Sequence, residues 1–348
     1  MTPLELANNR TGAEGLTPAE ALDRLRQIEA RLSQVVVGQS SLMRRLLTAL
    51  VAAIPYSFAA GEERAGCGHV LIEGVPGVAK TLTATTLARL IAAAFQRIQL
   101  TPDLMPADVI GTRIYDANSS TFRVERGPVF TNILLADEIN RATPKTQSAL
   151  LEAMQERQVT IADETVALPD PFWVLATQNP VEHEGVYLLP EAQLDRFSMM
   201  VRVGYPMPAD ELQMLRHGTG HVALDHLVTP RDVVQMRRLI QQAVHIDDKI
   251  PEYIIRLGHA TRTPGEVGLQ DLQDLLVLGL SPRSYQHVLA LARVTAFFAG
   301  RDYAVPGDVK DVFPDVARHR LVRSVRAEAE AIDTDRIVAR VLDTVPIP

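Results

Sequence analysis

Apolar positions near the N-terminus repeat at helical spacing: Ala21, Leu25, Ile28 and Leu32 share one face, and Thr17-Pro18-Ala19-Glu20 supplies the start. Thr can cap, Pro suits the first helical position, and Glu three residues on completes a capping box. Gln34 to Gly38 ends that segment, and Leu42, Leu46, Leu47 and Leu50 begin a second helix. The pattern then changes. His69-Val-Leu-Ile-Glu73 is a short apolar run with the length of a buried strand. A Gly/Pro turn, a helix over Thr81 to Phe95 and a second short strand at Arg97 to Leu100 follow at once. Strand, glycine turn, helix and strand in that order open a doubly wound α/β sheet.

Leu100 to Gly127 carries Pro102, Pro106, Gly111 and Gly127 with weak periodicity, which predicts an insertion built from short pieces. Asn132 to Asp137 is the next buried strand, and Pro144 to Glu156 is a helix with Leu150, Leu151 and Met154 on its apolar face. Val159 and Ile161 alternate, as do Val166 and Leu168, on either side of Asp163-Glu164, the pattern of a hairpin. Phe172 to Thr177 and Met199 to Val203 supply two more strands. From Pro206 the strands stop, and helical patterns at Asp210 to Leu215, Arg231 to Val244, Ser281 to Phe298 and Ile332 to Leu342 predict an all-helical C-terminal domain. The expected organisation is an N-terminal helical segment (1–33), an α/β core (34–206) containing the insertion (100–127) and the hairpin (158–169), and a helical domain (207–348).

Composition narrows the classes. The 348 residues are 47% apolar and 22% charged, which excludes a disordered or collagen-like chain. Lys and Arg number 35 against 42 Asp and Glu, a net charge of -7, and with aromatics at 5% this disfavours a dedicated nucleic-acid binder. Cys67 stands alone and cannot form an intrachain disulfide, so a reducing cytoplasm is the expected compartment. Met1 to Arg10 lacks the pattern of a secretory signal. The uncharged run Leu46 to Gly61 is interrupted by Pro55 and falls short of the ~20 apolar residues that span a bilayer, so no membrane span is expected.

The chemistry concentrates at strand ends. Gly74, Val75, Pro76, Gly77, Val78, Ala79, Lys80, Thr81 and Leu82 form a phosphate-binding loop running into a helix. Glycines let backbone N–H groups fold around phosphates, the helix N-terminus favours anionic charge, Lys80 can reach the β/γ-phosphates, and the Thr81 hydroxyl can bind Mg²⁺. Ala79 departs from the usual pattern, which has glycine before the lysine. Ile133 to Ala136 run straight into Asp137-Glu138, placing two carboxylates at the C-terminal end of a strand, where open α/β sheets bind ligands. Asp137 can hold Mg²⁺ directly or through its water, and Glu138 can polarise the attacking water.

These residues resemble the MoxR family of AAA+ ATPases. The resemblance rests on Glu73-Gly-Val-Pro-Gly-Val-Ala-Lys-Thr81, Leu134-Leu-Ala-Asp-Glu-Ile-Asn-Arg-Ala142, Ala176-Thr-Gln-Asn-Pro180, Leu189-Pro-Glu-Ala-Gln-Leu-Asp-Arg-Phe197 and Ser281-Pro-Arg283, in the family's order. Ala79 is a common variation in this family. The resemblance implies a P-loop NTPase with a parallel five-stranded αβα sandwich and a helical lid, binding ATP and Mg²⁺. It also implies a homo-oligomeric ring, a hexamer, that remodels or matures client proteins carrying a von Willebrand factor A domain. Residue by residue, Asn179 resembles the sensor 1 residue that orients water, and Arg196 the arginine finger reaching a neighbouring subunit. Arg283 resembles sensor 2, projecting from the helical lid onto the same nucleotide. The stretch 100–127 resembles the helix-2 insert and 158–169 the pre-sensor-1 hairpin, elements that face a ring's pore. Related insert-bearing rings include DNA helicases, so a DNA-directed motor is the alternative, against which the acidic charge and the lack of an added DNA-binding domain stand.

Other clusters carry less. Glu182-His183-Glu184 has metal-binding residue types, but adjacent side chains on an extended loop do not converge on one ion. His217 and His221 are separated by Gly218-Thr219-Gly220 and read as linker. Arg318-His-Arg-Leu-Val-Arg-Ser-Val-Arg326, the densest basic stretch, reads as a solvated helix balanced by Glu328 and Glu330.

Overall fold

The computed structural model describes residues 16–57, 63–116, 120–179, 185–217 and 224–348. Glu182, His183, Glu184 and His221 lie outside the described residues, as do the first fifteen residues of the expected N-terminal segment.

The chain opens with α1 (Pro18–Val35) and α2 (Ser40–Val51), then a hairpin of β1 (Ile54–Ser57) and β2 (Glu63–Gly66). At the start of α1 the Glu20 N–H donates to Thr17 Oγ1 at 3.3 Å, and Glu20 Oε2 accepts from the Thr17 N–H at 2.9 Å, closing the capping box. The core follows as β3 (Val70–Gly74), α3 (Lys80–Leu90), β4 (Phe95–Gln99), α4 (Pro106–Ile110), β5 (Gly111–Asp116), β6 (Thr121–Arg126) and β7 (Ile133–Asp137). After these come α5 (Pro144–Glu156), β8 (Gln158–Ile161), β9 (Glu164–Ala167), β10 (Trp173–Gln178), α6 (Glu191–Leu194) and β11 (Met199–Val203).

Five strands form one parallel sheet in the order β11-β3-β10-β7-β4. The three inner strands β3, β10 and β7 are apolar along most of their length because both faces are covered, whereas edge strand β4, Phe95–Gln99, is mostly exposed and polar. Val70, Ile72, Leu135, Trp173 and Val201 point into an apolar cluster shared with α1, α2, α3 and the C-terminal helices. Leu71, Leu134, Ala136, Val174 and Met200 point the other way, into a second cluster with α5 and the two inserted hairpins. Ala21, Leu25, Ile28 and Leu32 bury the apolar face of α1 in the first of these clusters, so α1 belongs to the main core.

The C-terminal region holds α7 (Pro208–His217), α8 (Pro230–Ala243), α9 (Lys249–Arg262), α10 (Pro282–Phe298), α11 (Pro306–Ala317), α12 (Val325–Ala329) and α13 (Thr334–Thr344). It is not all helical: β12 (Leu276–Leu278) pairs antiparallel with β13 (Val322–Arg323). Two helices, α9 and α11, go beyond the sequence expectation because internal Pro and Gly read as breakers. In α9, Gly258 lets the Tyr285 ring pack directly on the helix, since a Cβ there would lie 2.1 Å from that ring and displace it.

The basic stretch is the largest correction. Arg318 to Arg326 spans the end of α11, β13 and the start of α12, and its first half is buried against β11. Arg320, 6% exposed, pairs with Asp195 at 2.7 Å and donates to the Phe197 carbonyl. Arg318 bridges Asp315 and Asp335 and donates to Met200 O at 2.7 Å. These arginines join the helical region to the sheet edge.

Candidate nucleotide-binding site

The loop between β3 and α3 stands at the C-terminal edge of the sheet because β3 ends at Gly74 and turns out of it. A Cβ on Gly74 would meet Val203 O at 2.5 Å, so only glycine lets β11 run alongside to its end. Gly77 has φ +84, and Ala79 holds φ 60 and ψ 20 as the residue before α3. That left-handed conformation is why glycine is usual at the position; alanine adopts it with some strain. Lys80 Nζ folds back to donate to Gly74 O at 2.7 Å. Burial pushes the Lys80 ammonium below its ordinary value, while the Asp137 and Glu138 charges oppose that shift.

Lys80, Asp137 and Glu138 therefore converge. Asp137 ends β7 almost buried, accepting from Thr177 Oγ1 at 3.0 Å and pairing with Arg97 Nε at 2.7 Å. Glu138 is left-handed at φ 56, its N–H donates to Thr177 Oγ1 at 3.0 Å, and its carboxylate meets Arg141 at 3.1 Å. Asn179 follows β10, the strand lying between β3 and β7, so it sits between the loop and the acidic pair. Mg²⁺ takes hard oxygens, commonly one or two protein groups completed by phosphate and water. The Thr81 hydroxyl and the Asp137 carboxylate fit that donor set.

Arg196 and Arg283 lie elsewhere. Arg196 precedes β11, whose first residue registers with Val70, while the phosphate loop follows the opposite end of β3. A five-residue strand separates the two ends by about 16 Å. Arg283, at the start of α10, lines one cavity with Arg196, His69 and Glu156, and its Nε is 4.0 Å from Asp195. Packing of α10 on the Asp195 corner thus places Arg283 beside Arg196. Burial, and after it the neighbouring Arg283 charge, push the Arg196 guanidinium below its ordinary value.

Comparison with known proteins accords with this geometry. Residues 69–199 match the ATPase family associated with various cellular activities (AAA), and residues 271–341 match the AAA lid domain. The chain is 44% identical to the chaperone MoxR1 of Mycobacterium tuberculosis over 97% of its own length and 85% of that protein. It belongs to the MoxR family of AAA+ ATPases. The protein MoxR of Methylorubrum extorquens is 31% identical over 96% of this chain and 99% of its own. A solved structure of a Cytophaga hutchinsonii protein assigned as an ATPase superposes with a TM-score of 0.85 at 41% identity, covering 95% of this chain and 97% of that one.

Within this MoxR-family site, sequence reasoning missed Thr177, Arg97 and Arg141. Thr177 comes beside Asp137 only because β10 pairs with β7, and Arg97 only because β4 flanks β7 on the other side. Strand order carries no signal in the linear sequence. Arg141 was within reach of reasoning, standing three residues after Glu138 in a short 3-10 turn. The insert, whose β5 and β6 form a hairpin, and the 158–169 hairpin, both expected to face a pore, touch each other through Arg113 and Asp163 at 3.1 Å. Tyr115 and Phe122 pack edge to face on β5 and β6 while remaining 56% and 59% exposed. Among the described residues no helix is long and apolar enough to cross a membrane.

The joint beside Arg196 is also buried and polar. His69, His287 and His319 are held well below the usual imidazole range, first by burial and then by nearby arginine charge. The Val174 N–H donates to His69 Nδ1 at 2.9 Å, so Nε2 carries the proton toward Met154 O. Arg320 likewise donates to His287 Nδ1 at 2.8 Å. Because the unfolded chain binds these protons near pH 6.5 and the folded chain does not, the stability is present above that pH and lost as pH falls. Each histidine contributes about 1.4 kcal/mol per pH unit below the unfolded value, about 4 for the three together. The urea midpoint should therefore fall between pH 6 and pH 5, and His319→Gln should reduce the slope by about a third. An unchanged slope would show that His319 is not neutral in the fold.

Proposed function

We propose that this chain hydrolyses ATP as a subunit of a homo-oligomeric ring, a hexamer, and uses the cycle to remodel or mature client proteins. The observation that carries the reading is the convergence of Lys80, Asp137 and Glu138 at one edge of the parallel sheet, in a chain of the MoxR family. In this reading the loop N–H groups and Lys80 hold the phosphates. Thr81 and Asp137 hold Mg²⁺, which supplies charge neutralisation at the β/γ-oxygens. Glu138 polarises the attacking water, and Asn179 orients it. Arg141 must loosen its grip on the Glu138 carboxylate for that step.

A neighbouring subunit completes the site. Two guanidiniums share one partly buried cavity, a repulsive arrangement that an inserted phosphate relieves. That supports Arg196 and Arg283 both acting on the adjacent subunit's γ-phosphate. The exposed Tyr115–Phe122 pair, linked through Arg113 to the second hairpin, supports a client-contacting surface facing the ring's pore. Clients with a von Willebrand factor A domain follow from the resemblance to the MoxR family, and a cytoplasmic setting from the lone Cys67.

Lys80→Ala should lose ATP binding by titration calorimetry, because the loop loses its cationic contact to the phosphates. Glu138→Gln should bind ATP yet turn over ~10² to 10⁴ more slowly in a phosphate-release assay. Equal affinity of Lys80→Ala and the unaltered protein would show the loop assignment to be wrong. Glu138→Gln with ATP, used as bait, should enrich von Willebrand factor A domain proteins over the nucleotide-free bait; strong stimulation of turnover by DNA would overturn the client reading.

A further inference from the structure

Next to the phosphate loop, three neighbouring strands place polar side chains in one rung of the sheet. Glu73 on β3 registers with Gln178 on β10 and with Arg202 on β11. Glu73 immediately precedes Gly74, where the loop begins, and Gln178 immediately precedes Asn179. Gln178 Nε2 donates to Glu73 Oε2 at 2.8 Å, and Arg202 Nε donates to Glu73 Oε1 at 2.9 Å. One largely buried carboxylate is thus held from both sides. Lys80 Nζ donates to Gly74 O at 2.7 Å, a bond that it exchanges on turning to a phosphate, so nucleotide binding acts on the residue beside Glu73.

The other two nitrogens of Arg202 leave the sheet. Nη1 and Nη2 grip the Asp333 carboxylate as a fork, and Nη1 also donates to Asp335 at 2.9 Å. Asp333 is the residue before α13 and Asp335 lies in its first turn. The Arg202 guanidinium holds the Asp333 carboxyl below the usual carboxylate range. An isolated exposed ion pair contributes little, but here every nitrogen of one planar guanidinium meets a carboxylate at a fixed angle. A shift of Glu73 therefore either carries the start of α13 with it or breaks a contact. α13 packs on α11, and α11 packs on α10, the helix that begins with Arg283 in its first turn.

We infer that Arg202 is a positioning residue that couples the nucleotide at the loop to the placement of the lid, and through the lid to the Arg283 presented to the next subunit, a role that rests on the proposed function. Amide hydrogen exchange on the full-length protein, with and without ADP and Mg²⁺, tests it. In the unaltered protein the nucleotide should slow exchange in residues 74–82 and should change exchange across α13 by about fivefold or more. Arg202→Gln should keep the protection of 74–82 and lose the response of α13. Asp333→Asn should lose that response from the lid side, because Asn still suits the position before a helix but no longer holds a cationic fork. A merely structural brace would instead loosen α13 equally with and without nucleotide. Circular dichroism establishes that each variant is folded, and Asp333→Asn decides alone if Arg202→Gln is not. An α13 response that persists in the folded variants, or that is missing from the unaltered protein while 74–82 is protected, overturns the link. Failure of the nucleotide to protect 74–82 at all overturns the proposed function, and the link falls with it.

Discussion

Arg196→Ala subunits mixed with Lys80→Ala subunits are expected to hydrolyse ATP although neither protein does so alone. Arg196 stands at the N-terminal end of β11 and Lys80 beyond the C-terminal end of β3, so one chain's arginine is about 16 Å of strand away from its own phosphate loop. Each Arg196→Ala subunit keeps an intact loop, and each Lys80→Ala subunit keeps an intact arginine. In a head-to-tail ring the two meet at about one quarter of interfaces when mixed equally. Alone, Arg196→Ala should retain ATP binding and lose ~10³ to 10⁵ in turnover, since a finger stabilises charge on the transferring phosphoryl group. Exchange of labelled subunits is confirmed first. If exchange occurs and activity stays at background at every ratio, Arg196 does not act in trans.

Arg283 gives the second large effect, and its mixing pattern separates the two possible directions of action. Because it shares a cavity with Arg196, Arg283→Ala is expected to lose ~10² or more in turnover, as removal of a charge-stabilising donor does elsewhere. Mixed with Lys80→Ala it should recover activity. Mixed with Arg196→Ala it should not, since both lesions fall on the same face and no interface then carries both arginines. Recovery in that last mixture would mean that Arg283 serves its own subunit's nucleotide, against the geometry.

The placement of Arg283 shows where sequence reading stops. Its motif, Ser281-Pro-Arg283, marks the start of α10 correctly, but which end of the sheet receives α10 depends on contacts made by Asp195 and Arg320. The basic stretch makes the same point. Charge density in the linear chain cannot tell whether the counterions of Arg318 and Arg320 are water or Asp195, Asp315 and Asp335.

Whereas the pairing of β5 with β6 inside the insertion came only with the structure, the sequence by itself determined the five core strands, the phosphate loop, the acidic strand end and the 158–169 hairpin. Those depend on hydrophobic period, turn chemistry and charge within a few residues, which the chain carries locally. Ala79 shows the limit of even that reading: its identity was visible, its left-handed backbone was not. Only the tertiary structure decided that Thr177 and Arg97 flank Asp137, that Arg196 and Arg283 share one cavity, and that Arg237 is buried against Asp170 and the Ala65 carbonyl. Each depends on which sheet edges and helices meet across long stretches of chain, where burial, more than local propensity, selects the partners.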